Sequence, residues 1–256
     1  MNIIKFKTSL KESILSDIET TLDTADTAIK DTIYQFIHDN YHVTNIKDLT
    51  FKQDKTGKYL VSVNHDIELK SDSKIKRLTN DLFEFDYING YFSIEGSEIE
   101  TLENGPKKIK GWFNCTYCEN LKTLEHMPVN ATEVYCQHCY SLTSLKGCPK
   151  RLYGFDCSNC SNLKDLSNGP KEVINDYRCT HCASLESLKG CATIVGNSFN
   201  CSYCDSLSSI KYCPKRVGGD FICWQDVEEN GGIRFEEKDI KAICTVGCKI
   251  KGAKNW

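Results

Sequence analysis

Five nonapeptides of the chain share one pattern: FNCTYCENL from Phe113, VYCQHCYSL from Val134, FDCSNCSNL from Phe155, YRCTHCASL from Tyr177 and FNCSYCDSL from Phe199. Each sets a cysteine two places after an aromatic or apolar residue and a second cysteine three places further on. The leading residue also recurs at Phe92 and Phe221, so the steps from Phe92 to Phe221 are 21, 21, 21, 22, 22 and 22 residues. A period this short leaves little choice of fold. A unit of about twenty residues cannot bury its own apolar face, so it must stack on its neighbours and share one continuous core.

Strand alternation assigns the sides of each unit. In F-x-C the first and third side chains point the same way, which sends Phe113, Cys115, Cys136, Phe155, Cys157, Cys179, Phe199 and Cys201 inward. The second cysteines, Cys118, Cys139, Cys160, Cys182 and Cys204, stand where the leucine-rich consensus L-x-x-L-x-L-x-x-N/C-x-L carries Asn or Cys. The chain leaves the strand there, and a side chain can satisfy turn backbone. The pair Leu142 and Leu145 in SLTSLKGCPK then fills the interior from the returning side. Pro149 follows and is expected to help stop regular structure, because it fixes φ and removes a donor. From Pro149 to Phe155 is six residues and from Pro170 to Tyr177 seven, so length variation sits in the returning segment.

The units LENGPKKIKGWFNC, LKGCPKRLYGFDCSNC and IKYCPKRVGGDFIC resemble the leucine-rich-like repeats of proteins encoded by tailed bacteriophages. The resemblance runs from about Val61 to Ile250. VSVNHDIELKSDSKIKRL is similar to the entry coil of that group, and IRFEEKDIKAICTVGCKI to its closing helix and strand. Two departures stand out: the second Cys often replaces Asn, and the Phe92 coil has Ile94 and Ser97 in place of both thiols. What the resemblance implies is a scaffold that binds, since such coils host no chemistry of their own. A phage origin implies interference with a host defence or host machine.

The sixteen cysteines need a compartment. The opening MNIIKFKTSLKESIL lacks the apolar core and small-residue cleavage site of a secretory signal, and no apolar run approaches the roughly 20 residues that span a bilayer. A cytoplasmic location is expected, host cytoplasm if the protein is phage-encoded, with thiols free or metal-bound. The simplest reading makes the paired thiols small interior hydrophobes, with no cofactor. Zinc is the sharper alternative, because x₂-spaced pairs on adjacent coils could supply four ligands. Against it, five pairs leave one over, and Cys223–Asp226 shows a coil without a pair. Catalysis by thiol would need an orienting third group beside Cys139–His138 or Cys182–His181. Strand alternation and the bend aim both histidines away. Cys148, Cys191, Cys213, Cys244 and Cys248 fall in turn or cap segments, so Cys148 is expected to be less enclosed than Cys157.

Residues between the inward ones form outward columns, expected to line a concave face. The first reads Asn114, Tyr135, Asp156, Arg178, Asn200, Ile222; the second Thr116, Gln137, Ser158, Thr180, Ser202, Trp224; the third Tyr117, His138, Asn159, His181, Tyr203, Gln225. The third column is rich in residues that suit interfaces, and Trp112 and Trp224 stand at the two ends. A protein-binding face made of Trp112, Tyr117, Tyr135, His138, Asn159, Arg178, His181, Tyr203 and Trp224 is the expectation. A basic stripe, Lys107–Lys108, Lys150–Arg151, Lys171 and Lys215–Arg216, could track phosphates. Glu172 interrupts it, and the net charge of -3 gives no general pull toward nucleic acid or membrane.

Ahead of the coils, Ser9 with Glu12 reads as a capping box, with Leu10, Ile14, Ile18 and Leu22 at helical spacing. A second helix is expected from about Thr27 to Asn40 on Ile29, Ile33, Phe36 and Ile37. LTFKQDKTGKYLVSV reads as a hairpin. Near the end, Glu236, Glu237 and Asp239 precede Lys241, matching a helix dipole, and Ile240 and Ile243 are expected to close the last coil.

The chain therefore reads as α+β: a small helix-plus-hairpin N-terminal head (1–60), a leucine-rich-repeat-like β-solenoid (61–232) and a C-terminal helix/strand cap (233–256). The expected function is a non-enzymatic scaffold that engages a host or viral protein. A zinc-binding structural protein, or an enzyme or nuclease-type activity carried by the head, is the alternative.

Overall fold

The computed structural model describes residues 3–225 and 235–254, with side chains for all of these except 3–14, 17 and 18. The boundary expected at 232–233, and Asp226, lie outside the described residues. A single helix, α1 (Ile3–Asn40), replaces the two helices expected. Nothing in those 38 residues breaks it: the stretch holds neither Gly nor Pro, so the run joins what the sequence pattern divides. Ser9 and Glu12 fall inside the helix and cap nothing. The last turns dock on the body. Ile33 and Ile37 are buried, Phe36 meets Phe83 edge-on at 5.8 Å, and Tyr41 donates its hydroxyl to the Leu78 carbonyl at 2.6 Å. Leu22 and Ile29, assigned to apolar faces by spacing, are 63% and 37% exposed.

Strands β1 (Leu49–Gln53) and β2 (Tyr59–Val63) form an antiparallel hairpin. Its turn is held by Asp54, which accepts from the Thr56 and Lys58 amides, and by Gly57 at φ 86°. β2 also pairs in parallel with Phe83–Ile88, so the hairpin is continuous with the coils that follow, and β2 straddles residue 60.

Those coils form a β-solenoid. Nine two- or three-residue strands run parallel in one sheet, in order from Ile67–Glu68 through the segments led by Phe92, Phe113, Val134, Phe155, Tyr177, Phe199 and Phe221 to Ile250–Lys251. Register is exact: each leading residue pairs with the next. Their rings stack through the interior, as in Phe155–Tyr177 at 5.1 Å and Phe199–Phe221 at 5.2 Å.

The proline segments do not stop regular structure. Just after each of Pro106, Pro149, Pro170 and Pro214 lies a second short strand, such as Arg151–Leu152 or Glu172–Val173. Proline suits the position because its φ is already extended and the ladder begins after it. These strands build the other wall of the coil, as a four-stranded and a five-stranded sheet. The two are separated at the coil containing Pro128, where the Asn130 side chain takes the place of a strand. Its amide accepts from Ile109 N at 3.0 Å and donates to Ile109 O at 2.8 Å. The 21- and 22-residue units differ at the corner between walls. One residue, Tyr153, joins Leu152 to Gly154, whereas three join Val173 to Tyr177.

Both remaining corners use left-handed backbone. One holds Asn104, His126, Gly147, Asn168 and Gly190, all at positive φ. The glycine is demanded at Gly147, where φ is 101° and a Cβ would sit 2.0 Å from the Leu124 carbonyl oxygen. Beyond that corner Cys148, Cys191, Cys213 and Cys244 are all buried, which corrects the expectation that Cys148 is less enclosed: the turn residue folds inward under the proline. At the C-terminal end α2 (Glu237–Ile243) buries Ile240, but Ile243 is 42% exposed and closes nothing.

Candidate functional site

The corner between the nine-stranded sheet and the leucine segment positions the third column. Gly96, Tyr117, His138, Asn159, His181 and Tyr203 occupy the same repeat position, and all have φ between 55° and 66°. Left-handed backbone costs a residue with a Cβ roughly 1–2 kcal/mol. Neighbouring coils hold it in place: Tyr117 N donates to Gln137 O at 2.9 Å, His138 N to Ser158 O at 3.0 Å and His181 N to Ser202 O at 2.9 Å. The turn throws each side chain out over the edge of the sheet. There the rings pair between coils, Tyr117 on His138 at 4.4 Å and 12°, and His181 on Tyr203 at 4.7 Å and 26°. Asn159 separates the two pairs.

Tyr117 and Tyr203 are 45% and 42% exposed, and His181 is exposed too, while His138 and Asn159 are half-buried. Trp224, 48% exposed, stands at the far end in the second column. Arg178 is exposed and bonded to Asp176. Trp112 is half-buried, stacked on Tyr91 at 4.0 Å and 7°, and meets Tyr135 edge-on. Burial and a hydrogen bond to Glu133 push the Tyr135 phenol up to about 12, so it stays a neutral donor. A bond to Glu68 does the same for Tyr91.

Several column residues do not face out. Asp156, Ser158 and Ser202 are buried, because their side chains bond backbone within the sheet rather than solvent, as in Ser158 N to Asp156 Oδ1 at 2.9 Å. Gln225 is buried as well; it donates to Cys201 O and accepts from Cys204 N. Two residues of the face escape the sequence reading. Tyr91 holds the same repeat position as Trp112, one unit earlier, and that was the available signal. Tyr140, 40% exposed, contacts His138 Nδ1 through its hydroxyl at 3.1 Å, and no repeat position announces it.

Behind this surface lie the thiols. Cys115, Cys136, Cys157, Cys179 and Cys201 are fully buried beside Phe113, Phe155 and Phe199, and so are Cys118, Cys139, Cys160, Cys182 and Cys204. The second set makes one repeated bond, each donating Sγ–H to a backbone carbonyl of the preceding coil: Cys139 to Cys115 O and Cys160 to Cys136 O at 3.0 Å, Cys204 to Cys179 O at 3.1 Å. Gln225 supplies this bond to Cys201 O where no second thiol is described. Burial pushes Cys118 and Cys148 up to about 12, so these thiols stay protonated and are poor nucleophiles. Among the described residues no three His, Cys, Asp or Glu side chains gather as a metal site.

The basic stripe is partly spent on neighbours, Lys107 on Glu84 at 3.3 Å and Arg151 on Glu172 at 3.2 Å. No helix is long and apolar enough to cross a membrane among the described residues. No protein-family model, curated protein or solved structure matches the chain.

Proposed function

We propose that the protein is a non-enzymatic scaffold that binds another protein on the outward face of the nine-stranded sheet, along the edge carrying Tyr117, His138, His181 and Tyr203. The observation that carries this reading is the pairing of aromatic rings on strained corners. A turn that needs positive φ is built most cheaply with Gly or Asn, and the chain uses Gly96 and Asn159 at two of these positions. Placing Tyr or His at the other four spends stability on exposed rings, which is what an interface rewards. Trp112 with Tyr91 at one end and Trp224 at the other extend the same surface. The resemblance to phage leucine-rich-like repeats supports a host or viral protein as the partner.

The test is capture of a partner from host lysate, identified by mass spectrometry, followed by affinity measurement with single variants. Tyr117→Ala, Tyr203→Ala and Trp224→Ala are each expected to leave melting within a few degrees of the parent. At least one should weaken binding by about 2 kcal/mol, the scale of a hot spot. Lys150→Ala and Lys171→Ala are the matched controls on the other wall. Loss of binding on the lysine changes alone, with steep salt dependence, would replace this reading with an anionic ligand.

A further inference from the structure

The sheet face leaves α1 without a purpose. Only its last turns pack on the body; from Glu19 to Ala25 every residue is exposed. Yet Leu15, Leu22 and Ile29 stand seven residues apart on one side and are 47%, 63% and 37% exposed. The positions between them in the seven-residue frame are Ile18, Ala25 and Thr32. A seven-residue apolar repeat is the seam by which one helix packs along another. Helices get most of their stability from packing such a seam, and here the fold of one chain covers it only from Ile33 onward.

The charge along α1 says what would cover it. The first third carries Lys5, Lys7 and Lys11, whereas the middle carries Glu19, Asp23, Asp26 and Asp31. Two copies side by side in parallel would set acid on acid and crowd both solenoids at one end. Two copies running antiparallel would set the basic third of each along the acidic middle of the other and leave the solenoids at opposite ends. Centring the pair near residue 18 puts Leu15 of one chain against Leu22 of its partner. The free helix from Ile3 to Ile33 is about 45 Å long at 1.5 Å per residue, enough for four heptads. We propose that α1 is a self-association helix through which two copies of this chain form an antiparallel pair with two-fold symmetry, independently of what the sheet face binds.

The experiment is sedimentation or light scattering of the full-length chain. It should report twice the 29.1 kDa chain mass, with a dissociation constant that rises with added salt. The double variant Leu15→Asp/Leu22→Asp should be monomeric, or at least about tenfold weaker in pairing, while the melting of the solenoid is retained. Lys5→Glu/Lys11→Glu removes no apolar residue and should also weaken the pair by several-fold. In a parallel pair that change would exchange one like-charge contact for another and leave affinity unmoved. A monomeric parent, a dimer indifferent to the leucine changes, a larger assembly, or a dimer tightened by salt and blind to the lysine changes would each overturn the proposal.

Discussion

Tyr177 holds a position that Phe fills in the coils on either side, and its extra oxygen has nowhere to go. The hydroxyl is buried with no hydrogen-bond partner and lies 3.7 Å from where a Cβ on Gly169 would be. A stranded polar group costs on the order of 1–3 kcal/mol, so Tyr177→Phe is expected to raise the melting temperature, read by calorimetry. A lower melting point would mean that the oxygen is satisfied. The corner residues offer a second comparison at this scale. Tyr203→Ala keeps a Cβ in left-handed backbone while Tyr203→Gly removes the clash, so the glycine variant should be the more stable by about 1 kcal/mol in denaturant melts. Equal stabilities would show that the neighbouring coils carry the strain without cost. Neither feature is visible in a single repeat. The positive φ at Tyr117 and His138 becomes legible only when Gly96 and Asn159 are aligned at the same position, because Tyr and His do not otherwise mark a left-handed turn.

At the scale of the strand and coil, the F-x-C wall was legible because period-two alternation needs only three residues to show a side. The opposite wall was not. Its strands are two residues long, follow a proline and show no alternation, so Lys150–Leu152 reads as a turn although Leu152 is interior. The continuity of α1 was missed for a different reason: Ser9 and Glu12 imitate a helix start, while nothing between them and Asn40 stops the helix. The buried thiols give the coil a distinctive response to alkali. Burial holds Cys118, Cys148 and Cys223 near 12, whereas an unfolded thiol titrates near about 8.5. Above that lower value the unfolded chain releases protons that the folded coil retains, so stability is complete below pH 8 and falls as pH rises. Each such thiol removes about 1.4 kcal/mol per pH unit until its folded value is reached. Thermal melts under reductant should be flat from pH 7 to 8 and should collapse by about pH 10. A flat profile to that pH would contradict a dry thiol interior.

Across the whole molecule each coil touches mainly its neighbours, so stability should be distributed as a chain of nearest-neighbour terms rather than concentrated in one nucleus. That arrangement turns the cysteines into a counter. Fifteen of the sixteen are buried and Cys248 is exposed, so a thiol reagent added to the native protein is expected to mark one site promptly, as read by intact mass. If coils open one after another, partial unfolding in denaturant should add label in steps of one coil's thiols. Peptide mapping would then show whether opening starts from Cys115 and Cys118 or from Cys223 and Cys244. Prompt labelling of many sites in the native protein would refute the burial, and a single jump to full labelling would show the coils melting together. The bond from each second thiol to the carbonyl of the coil before it gives this counter a direction. Alkylating Cys204 severs its tie to Cys179 O, so each modified coil loosens its grip on the coil toward the N-terminus. Damage that enters at the C-terminal end would therefore travel up the chain like a run in knitted cloth, whereas damage entering at the other end would be checked at the first intact thiol.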